Sequence, residues 1–221
     1  MSAYGAISHP AASSGPLAST IWKLPAARPG KPASPFGHLT IHHLTLSSAA
    51  HLEGLVDFTY RVFAEEVAQG TTYPQEASGG EYTREAFEAY FWAGDVFLAI
   101  GGIGDSGHAS AEAASHTQTG MEEARAGRTW EECAIGFYYV KPNYPGRSSH
   151  ICNAGFVVPP LHRQYGYGKT LGRSYLHYAP QLGYKASVFN LVYTSNVGSM
   201  SVSVFDSALY FIGKRSCSAT H

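Results

Sequence analysis

The sequence is poor in the residues that stabilise extracellular, metal-bound and membrane proteins. Its 221 residues include three cysteines, Cys133, Cys152 and Cys217, and no C-x-x-C pair, which argues against a disulfide framework and a zinc ribbon. The histidines lack the spacing of a metal site, and no run approaches the roughly 18 consecutive apolar residues of a membrane helix. We therefore expect a cytoplasmic protein with no bound metal and no membrane partner.

An excess of charge of either sign is also missing. The chain has 15 Lys+Arg against 16 Asp+Glu, for a formal net charge of -1. Because binding to a phosphate backbone needs clustered Lys and Arg, this composition argues against nucleic acid as a partner. Hydrophobic residues make up 44% of the chain, so its length suffices for one globular domain with a sizeable core.

The amino-terminal segment has no acidic residues, since the first in the chain is Glu53. Alanine, serine, proline and glycine dominate residues 1–38, and serine-rich, acid-poor segments are typical of mitochondrial transit peptides. The six prolines of this segment would interrupt the amphipathic helix that transit requires. We therefore favour a disordered tail at 1–38, followed by a single domain at 39–221.

The remaining chain alternates between strand-like and helix-like segments, which predicts an α/β fold. Apolar residues recur at helical spacing from Leu52 to Val67, and Gly70 can cap that helix. A shorter helix is predicted at 84–94. Residues 104–130 are small and polar without a sustained period, so we interpret them as an inserted surface loop. Strands are predicted at 39–46, as a sheet edge, and at 95–101, 133–140, 150–158 and 184–193.

A helix predicted from about Tyr167 to Leu182 separates the last two strands, so these should be parallel neighbours. The turn before it, "PLHRQYGYGKT", lies at the sheet edge where ligands of α/β proteins collect. Free backbone N–H groups at a helix start bind phosphate oxygens, and Gly166 and Gly168 would let the backbone come close. The turn thus suggests a phosphorylated cofactor, although glycines here could equally serve only backbone geometry. It matches neither the Rossmann fingerprint nor the P-loop.

A longer pattern around this turn resembles a known family. Residues 157–168 read V-V-P-x-x-x-R-x-x-G-x-G, which is similar to the acetyl-CoA signature of the GNAT acyltransferase superfamily. The blocks at 70–76, 136–156 and 176–193 resemble the fungal GNAT enzymes that N-acetylate toxic proline analogues such as azetidine-2-carboxylate. The resemblance implies a mixed central sheet with flanking helices, in which two parallel strands splay apart at the cofactor.

The resemblance also implies where acetyl-CoA would lie. Its pyrophosphate is expected on the backbone N–H groups of residues 163–169, and a backbone N–H at Val158 would stabilise the oxyanion. Asn196 would hold the pantetheine arm or the departing thiolate, or else merely cap a helix. The residues expected to contact acetyl-CoA are Phe156, Val157, Val158, Arg163, Gln164, Tyr165, Gly166, Tyr167, Gly168, Lys169 and Asn196.

The acceptor amine should bind beside two asparagines that interrupt apolar strands. By resemblance, Asn153 and Asn190 would bind the carboxylate of the acceptor and orient its ring nitrogen, although either could belong to a structural hydrogen-bond network. Tyr73 would border the acceptor. Glu66 could take a proton from the amine through water, or could simply be solvated. The pattern assigns no role to residues 141–144.

A nucleophilic Cys152 is disfavoured, because neighbouring strand residues alternate sides and Cys152 and Asn153 cannot face one pocket. After Asn196 the sequence departs from the family pattern, which continues with a helix and two more strands. The resemblance as a whole predicts an N-acetyltransferase that acts on a small amino acid and that could form a homodimer. The alternatives are acetylation of another small amine and a non-catalytic acyl-CoA-binding remnant.

Overall fold

A computed structural model describes residues 15–27, 29–73, 75, 82–104, 107, 109–111 and 113–189. They form a seven-stranded sheet in the order β4-β1-β2-β3-β5-β6-β7. Neighbouring strands are antiparallel apart from the pair β6 and β7, which is parallel. The strands are β1 Thr20–Lys23, β2 His38–Leu44, β3 Asp95–Gly102, β4 Ser115–His116, β5 Ala134–Pro142, β6 Ile151–Val157 and β7 Ala186–Ser187.

Helices cover both faces of this sheet. The helices are α1 Leu46–Ala49, α2 Leu55–Gln69, α3 Arg84–Phe91, α4 Met121–Arg125, α5 Trp130–Cys133 and α6 Tyr167–Gln181. The predicted long helices are confirmed. Helix α2 ends at Gly70, whose φ of 64° is left-handed and closes the helix without strain. None of the described helices is long and apolar enough to cross a membrane.

The core has two layers, one on each face of the sheet. On one face, α2 and α3 pack around Phe63, whose ring lies 5.2 Å from that of Phe91. On the other face, α6 packs through Tyr178, whose ring stacks on Phe97 at 4.4 Å. Alternate residues of β5 and β6 therefore serve different layers.

The expectation of a disordered tail at 1–38 is wrong for the part that the structure describes. Residues 20–23 form β1, which pairs with β2 and β4. Trp22 is 2% exposed. Thr20 bonds the hydroxyl of Tyr178 on α6 at 2.8 Å. Residues 1–14 lie outside the described part. Because β1 flanks it, β2 is an internal strand rather than the predicted edge.

The interpretation of residues 104–130 as a surface loop is also only partly right. Strand β4 extends the sheet beyond β1, and α4 follows it. Trp130 is 4% exposed and donates a 2.8 Å hydrogen bond from Nε1 to the carbonyl of Glu53. The segment therefore closes one end of the α2 layer, which its composition did not reveal because its buried residues are few and widely spaced.

Candidate functional site

The predicted turn between the sixth strand and the last helix has the expected form. Strand β6 ends at Val157, a single 3-10 turn follows at Pro160–His162, and α6 begins after Gly166. Gly166 has a φ of 84°, a left-handed conformation that favours glycine. A Cβ added to Gly166 would meet nothing within 4 Å, so open space lies in front of the turn.

The backbone N–H groups of this turn are mostly available to a ligand. Arg163 N–H donates to the carbonyl of Pro160 at 3.3 Å, and Lys169 N–H donates to that of Gly166 at 3.0 Å. The two ends of the predicted 163–169 run are thus used within the turn. No described carbonyl or side chain accepts from the N–H groups of residues 164–168. Such a set of free donors at a helix start suits a phosphate group.

Arg163 links this turn to the end of α2. Its guanidinium forms an ion pair with Glu66, which is buried, and its Nε donates a 3.0 Å hydrogen bond to the carbonyl of Val158. Thr72 donates a 3.4 Å hydrogen bond to the other carboxylate oxygen of Glu66. Both oxygens of Glu66 therefore have partners, which favours positioning of the turn. Proton abstraction by Glu66 stays a prediction.

Two side chains expected to contact the cofactor belong to the core instead. Val157 is 2% exposed and packs in the α2 layer. Tyr167 is 1% exposed, packs in the α6 layer, and shares a 2.7 Å hydrogen bond with Ser34. Burial raises the pKa of the Tyr167 hydroxyl. These residues can offer a cofactor only main-chain atoms, because alternation along the strand and the helix periodicity turn their side chains inward.

Strands β6 and β7 pair in parallel over a short stretch, and the residues from 190 onward, which would continue β7, lie outside the described part. Register pairs join Ile151 to Ala186 and Cys152 to Ser187, and the described part of the chain contains no later pair between these strands. Val188 N–H donates to the Cys152 carbonyl at 2.9 Å.

Backbone groups of alternate residues face the same neighbour, so the N–H groups of Phe156 and Val158 point toward the same edge as those of Cys152. The placement of a backbone donor at Val158 is compatible with this geometry. The residue's part in catalysis stays a prediction. The side chains of alternate residues likewise share one face of the strand, and the Cys152 thiol lies 3.1 Å from the Tyr175 hydroxyl in the α6 layer. Burial raises the pKa of this thiol, which disfavours a nucleophile further.

Gly155 allows two tyrosines to lie over β6 on the α2 side. A Cβ at this position would come within 2.6 Å of Tyr139 Cε1 and 2.8 Å of the Tyr73 hydroxyl. Tyr73 donates a 3.2 Å hydrogen bond to the Phe156 carbonyl, near the end of β6. Burial raises the pKa of Tyr73 well above 10.0, with further contributions from Tyr90 and Glu66. Tyr73 therefore lies between the turn and a second group of polar residues.

That second group, which we call the lysine cluster, consists of Tyr90, Tyr139, Lys141, Asn143 and Asn153. The ammonium of Lys141 lies 3.6 Å from the ring centroid of Tyr90 and 4.2 Å from that of Tyr139. It also donates a 2.8 Å hydrogen bond to the Tyr90 carbonyl. Burial lowers the pKa of Lys141 to about 8.

Asn153 is the predicted acceptor residue that the structure places in the lysine cluster. It lies directly opposite Lys141 in the β5–β6 ladder. Its Nδ2 donates to Asn143 Oδ1 at 2.7 Å, while its Oδ1 is buried and has no hydrogen-bond partner among the described residues. Sequence interpretation assigned no role to Lys141 or Asn143. The period of two along "YYVKPN" places Tyr139 and Lys141 on one face of β5, but Tyr90 comes from a distant helix.

Two residues predicted from the sequence to contact ligands, Asn190 and Asn196, lie outside the described part of the chain. Within the described part, no group of three or more His, Cys, Asp or Glu side chains could hold a metal ion.

Comparison with known proteins finds a curated N-acetyltransferase that is similar to this chain. No protein-family model matches the sequence. The chain is 38% identical over 135 residues to N-acetyltransferase aca1 of Schizosaccharomyces pombe, a match that covers 61% of this chain and 58% of that protein. This similarity agrees with the acetyltransferase resemblance expected from the sequence. The α/β class and the mixed central sheet with flanking helices, both expected from the sequence, are confirmed by the observed sheet.

A further curated relative and a solved structure show more limited similarity. A 69-residue segment is 41% identical to Protein SPT10 of Saccharomyces cerevisiae and covers 31% of this chain and 11% of that protein. A solved GCN5-related N-acetyltransferase from Kribbella flavida has a TM-score of 0.49 and 20% identity, with 75% of this chain and 79% of that chain covered. The chain spans little more than half the length of the Schizosaccharomyces relative.

Proposed function

We propose that the protein is an N-acetyltransferase that transfers the acetyl group of acetyl-CoA to the amine of a small amino acid. A proline analogue such as azetidine-2-carboxylate is the first candidate acceptor. The observation that carries this proposal is the strand–turn–helix unit at the end of β6. It combines a left-handed Gly166 with N–H groups at residues 164–168 that no described group accepts from, beside the parallel strand pair β6 and β7.

The residues of this unit fit a CoA ester. The N–H groups of residues 164–168 would hold the pyrophosphate, since the space in front of Gly166 is open. The edge of β6 at Phe156 and Val158 would hold the pantetheine arm through backbone groups. When bound, acetyl-CoA would supply the acetyl group as a thioester.

The protein's own contribution would be positioning and charge stabilisation. A preorganised backbone N–H, such as that of Val158, stabilises negative charge on a carbonyl oxygen by about 3 kcal/mol. Glu66 and Arg163 would hold the turn against α2, so that this donor keeps its direction. Asn153 cannot act as a base, because an amide does not take up a proton at neutral pH, but it can orient the acceptor.

One observation favours a second candidate function, a non-catalytic acyl-CoA binder. Glu66 is the carboxylate expected to take the amine proton, and Arg163 and Thr72 already occupy both of its oxygens. A protein that had lost its proton acceptor would still bind CoA through the turn.

Calorimetry with acetyl-CoA and a thiol-release assay with azetidine-2-carboxylate separate these functions. Gly166→Ala should weaken CoA binding about tenfold, because its Cβ would enter the open space and the left-handed residue would be strained by about 1 kcal/mol. Gly146→Ala is the matched control, since Gly146 has a φ of 60° and equally open surroundings but lies in a different turn.

Acceptor-dependent thiol release supports the transferase. CoA binding without such release, also with other small amines, supports the binder. If the wild-type chain does not bind CoA, or if both glycine variants lose the same affinity, the proposal is wrong.

A further inference from the structure

Lys141 is a half-buried cation without an acidic partner among the described residues. The ion pairs formed by the described Arg and His residues all involve other positions, and no described carboxylate lies within ion-pair distance of Lys141. Its contacts are the Tyr90 carbonyl and the faces of two tyrosine rings. Buried charges are usually paired, because removal from water is unfavourable unless an opposite charge compensates for it. An anionic ligand would provide that compensation.

Asn153 presents the complementary group. The Nδ2 of Asn153 is used by Asn143. Its Oδ1 is buried and lacks a donor among the described residues. A buried carbonyl oxygen without a partner is unfavourable, so this atom favours a ligand that donates a hydrogen bond.

The two groups are close enough to bind one small molecule. Lys141 and Asn153 are direct partners in the antiparallel ladder. The Cβ atoms of such partners lie about 5 Å apart, and both side chains are on the same face of the sheet. An α-amino acid carries its amine and its carboxylate on a single carbon atom. Its two polar groups can therefore reach two neighbouring side chains, one that offers a positive charge and one that offers an oxygen.

We propose that Lys141 binds the carboxylate of the acceptor amino acid, and that Asn153 Oδ1 accepts a hydrogen bond from its amine. This inference rests on the proposed function. It revises the expectation that Asn153 binds the carboxylate, because the Asn153 atom without a partner is an acceptor, which a carboxylate would repel. Lys141 thus determines specificity for α-amino carboxylates over simple amines.

A purely structural role for Lys141 makes a different prediction. Its ammonium lies at the last turn of α3, where cations often bond carbonyl groups. If Lys141 served only to cap α3, its replacement would change stability and leave the choice of acceptor unaltered.

The test compares two acceptors that share a ring nitrogen, azetidine-2-carboxylate and azetidine. Lys141→Met should lower kcat/KM for the carboxylate about 10- to 100-fold and leave azetidine unchanged, since a hydrogen bond to a charged group contributes about 1.5 to 3 kcal/mol. Lys141→Arg keeps the charge and should retain most of the selectivity. Lys31→Met is the matched control, because Lys31 is exposed and distant in sequence from Lys141.

Binding is measured in parallel, by titrating each acceptor into the CoA-saturated protein in a calorimeter. Loss of carboxylate affinity in Lys141→Met but not in Lys31→Met supports the inference, even if no acetyl transfer occurs and the proposed function fails. The inference is overturned if Lys141→Met loses affinity equally for both acceptors, or if it still prefers the carboxylate as the wild type does. Acetyl transfer by the wild type would in that case still support the transferase. If neither acceptor binds nor is acetylated, both proposals fall.

Discussion

Replacing Lys141 by methionine should change how the stability of the protein depends on pH. Burial lowers the pKa of Lys141 from 10.5 to about 8 in the folded chain. Between these values the unfolded chain binds more protons than the folded chain, so the free energy of unfolding rises with pH. Methionine has a similar volume but no proton to bind, so the variant lacks this contribution.

The size of the effect follows from the two pKa values. A tenfold difference in proton affinity corresponds to about 1.36 kcal/mol, so the charged lysine lowers the stability of the fold by about 3 kcal/mol at pH 7.5. At pH 9.5 most of the folded chain is already deprotonated at this site, and the penalty falls to about 1.4 kcal/mol. Allowing for the partial exposure of Lys141, wild type should gain about 1 to 2 kcal/mol relative to Lys141→Met over this interval.

Urea denaturation of both proteins at pH 7.5, 8.5 and 9.5 measures this difference. The buried tyrosines have pKa values above 10.0, so their ionisation lowers stability mainly above the pH range measured. Both proteins contain them, so comparing the two curves removes their contribution. Lys31→Met should follow the wild-type curve, because Lys31 is exposed. If the curves of wild type and Lys141→Met run parallel from pH 7.5 to 9.5, Lys141 is not destabilised by burial and the reasoning is refuted.

Two further substitutions test the packing that surrounds the site. Trp22→Ala should lower the free energy of unfolding by about 3 to 5 kcal/mol if residues 20–23 are part of the core, whereas Leu161→Ala, 69% exposed, should change it by less than about 0.5 kcal/mol. Similar values for the two in chemical denaturation would contradict the placement of β1. Gly155→Ala should lower stability by about 1 to 3 kcal/mol through collision with the two tyrosines above it. Gly120→Ala is the control, because Gly120 has open surroundings. Thermal denaturation measures both variants, and equal midpoint temperatures would refute the close approach of the tyrosines to Gly155.

Elements whose own residues carry a long pattern were predictable. Helix α6 and the strand before it each contain enough apolar residues at a regular spacing to be predicted from the sequence. Gly70 and Gly166 mark helix ends because glycine readily adopts the left-handed conformation found there. Strand β1 was missed because four residues between proline-rich segments show no period. Its place in the sheet depends on β2 and on Tyr178.

The candidate site divides in the same way. The turn proposed to bind phosphate is continuous in the chain, so its glycines and its position after a strand could be read from the sequence. The partners of its side chains were not, because Arg163 meets a glutamate 97 positions earlier. Such contacts depend on where α2 packs.

The amino-acid order alone was sufficient for the α/β class, the parallel strand pair with its intervening helix, and the turn that points to a phosphorylated cofactor, because each depends on neighbours within a few residues. Packing of the folded chain was needed to bury Val157 and Tyr167, to pair Glu66 with a cation, and to bring Tyr90 over Lys141 opposite Asn153. These arrangements join residues that are far apart along the chain. Their burial, charge and hydrogen-bond partners therefore exist only once the two layers have closed on the sheet.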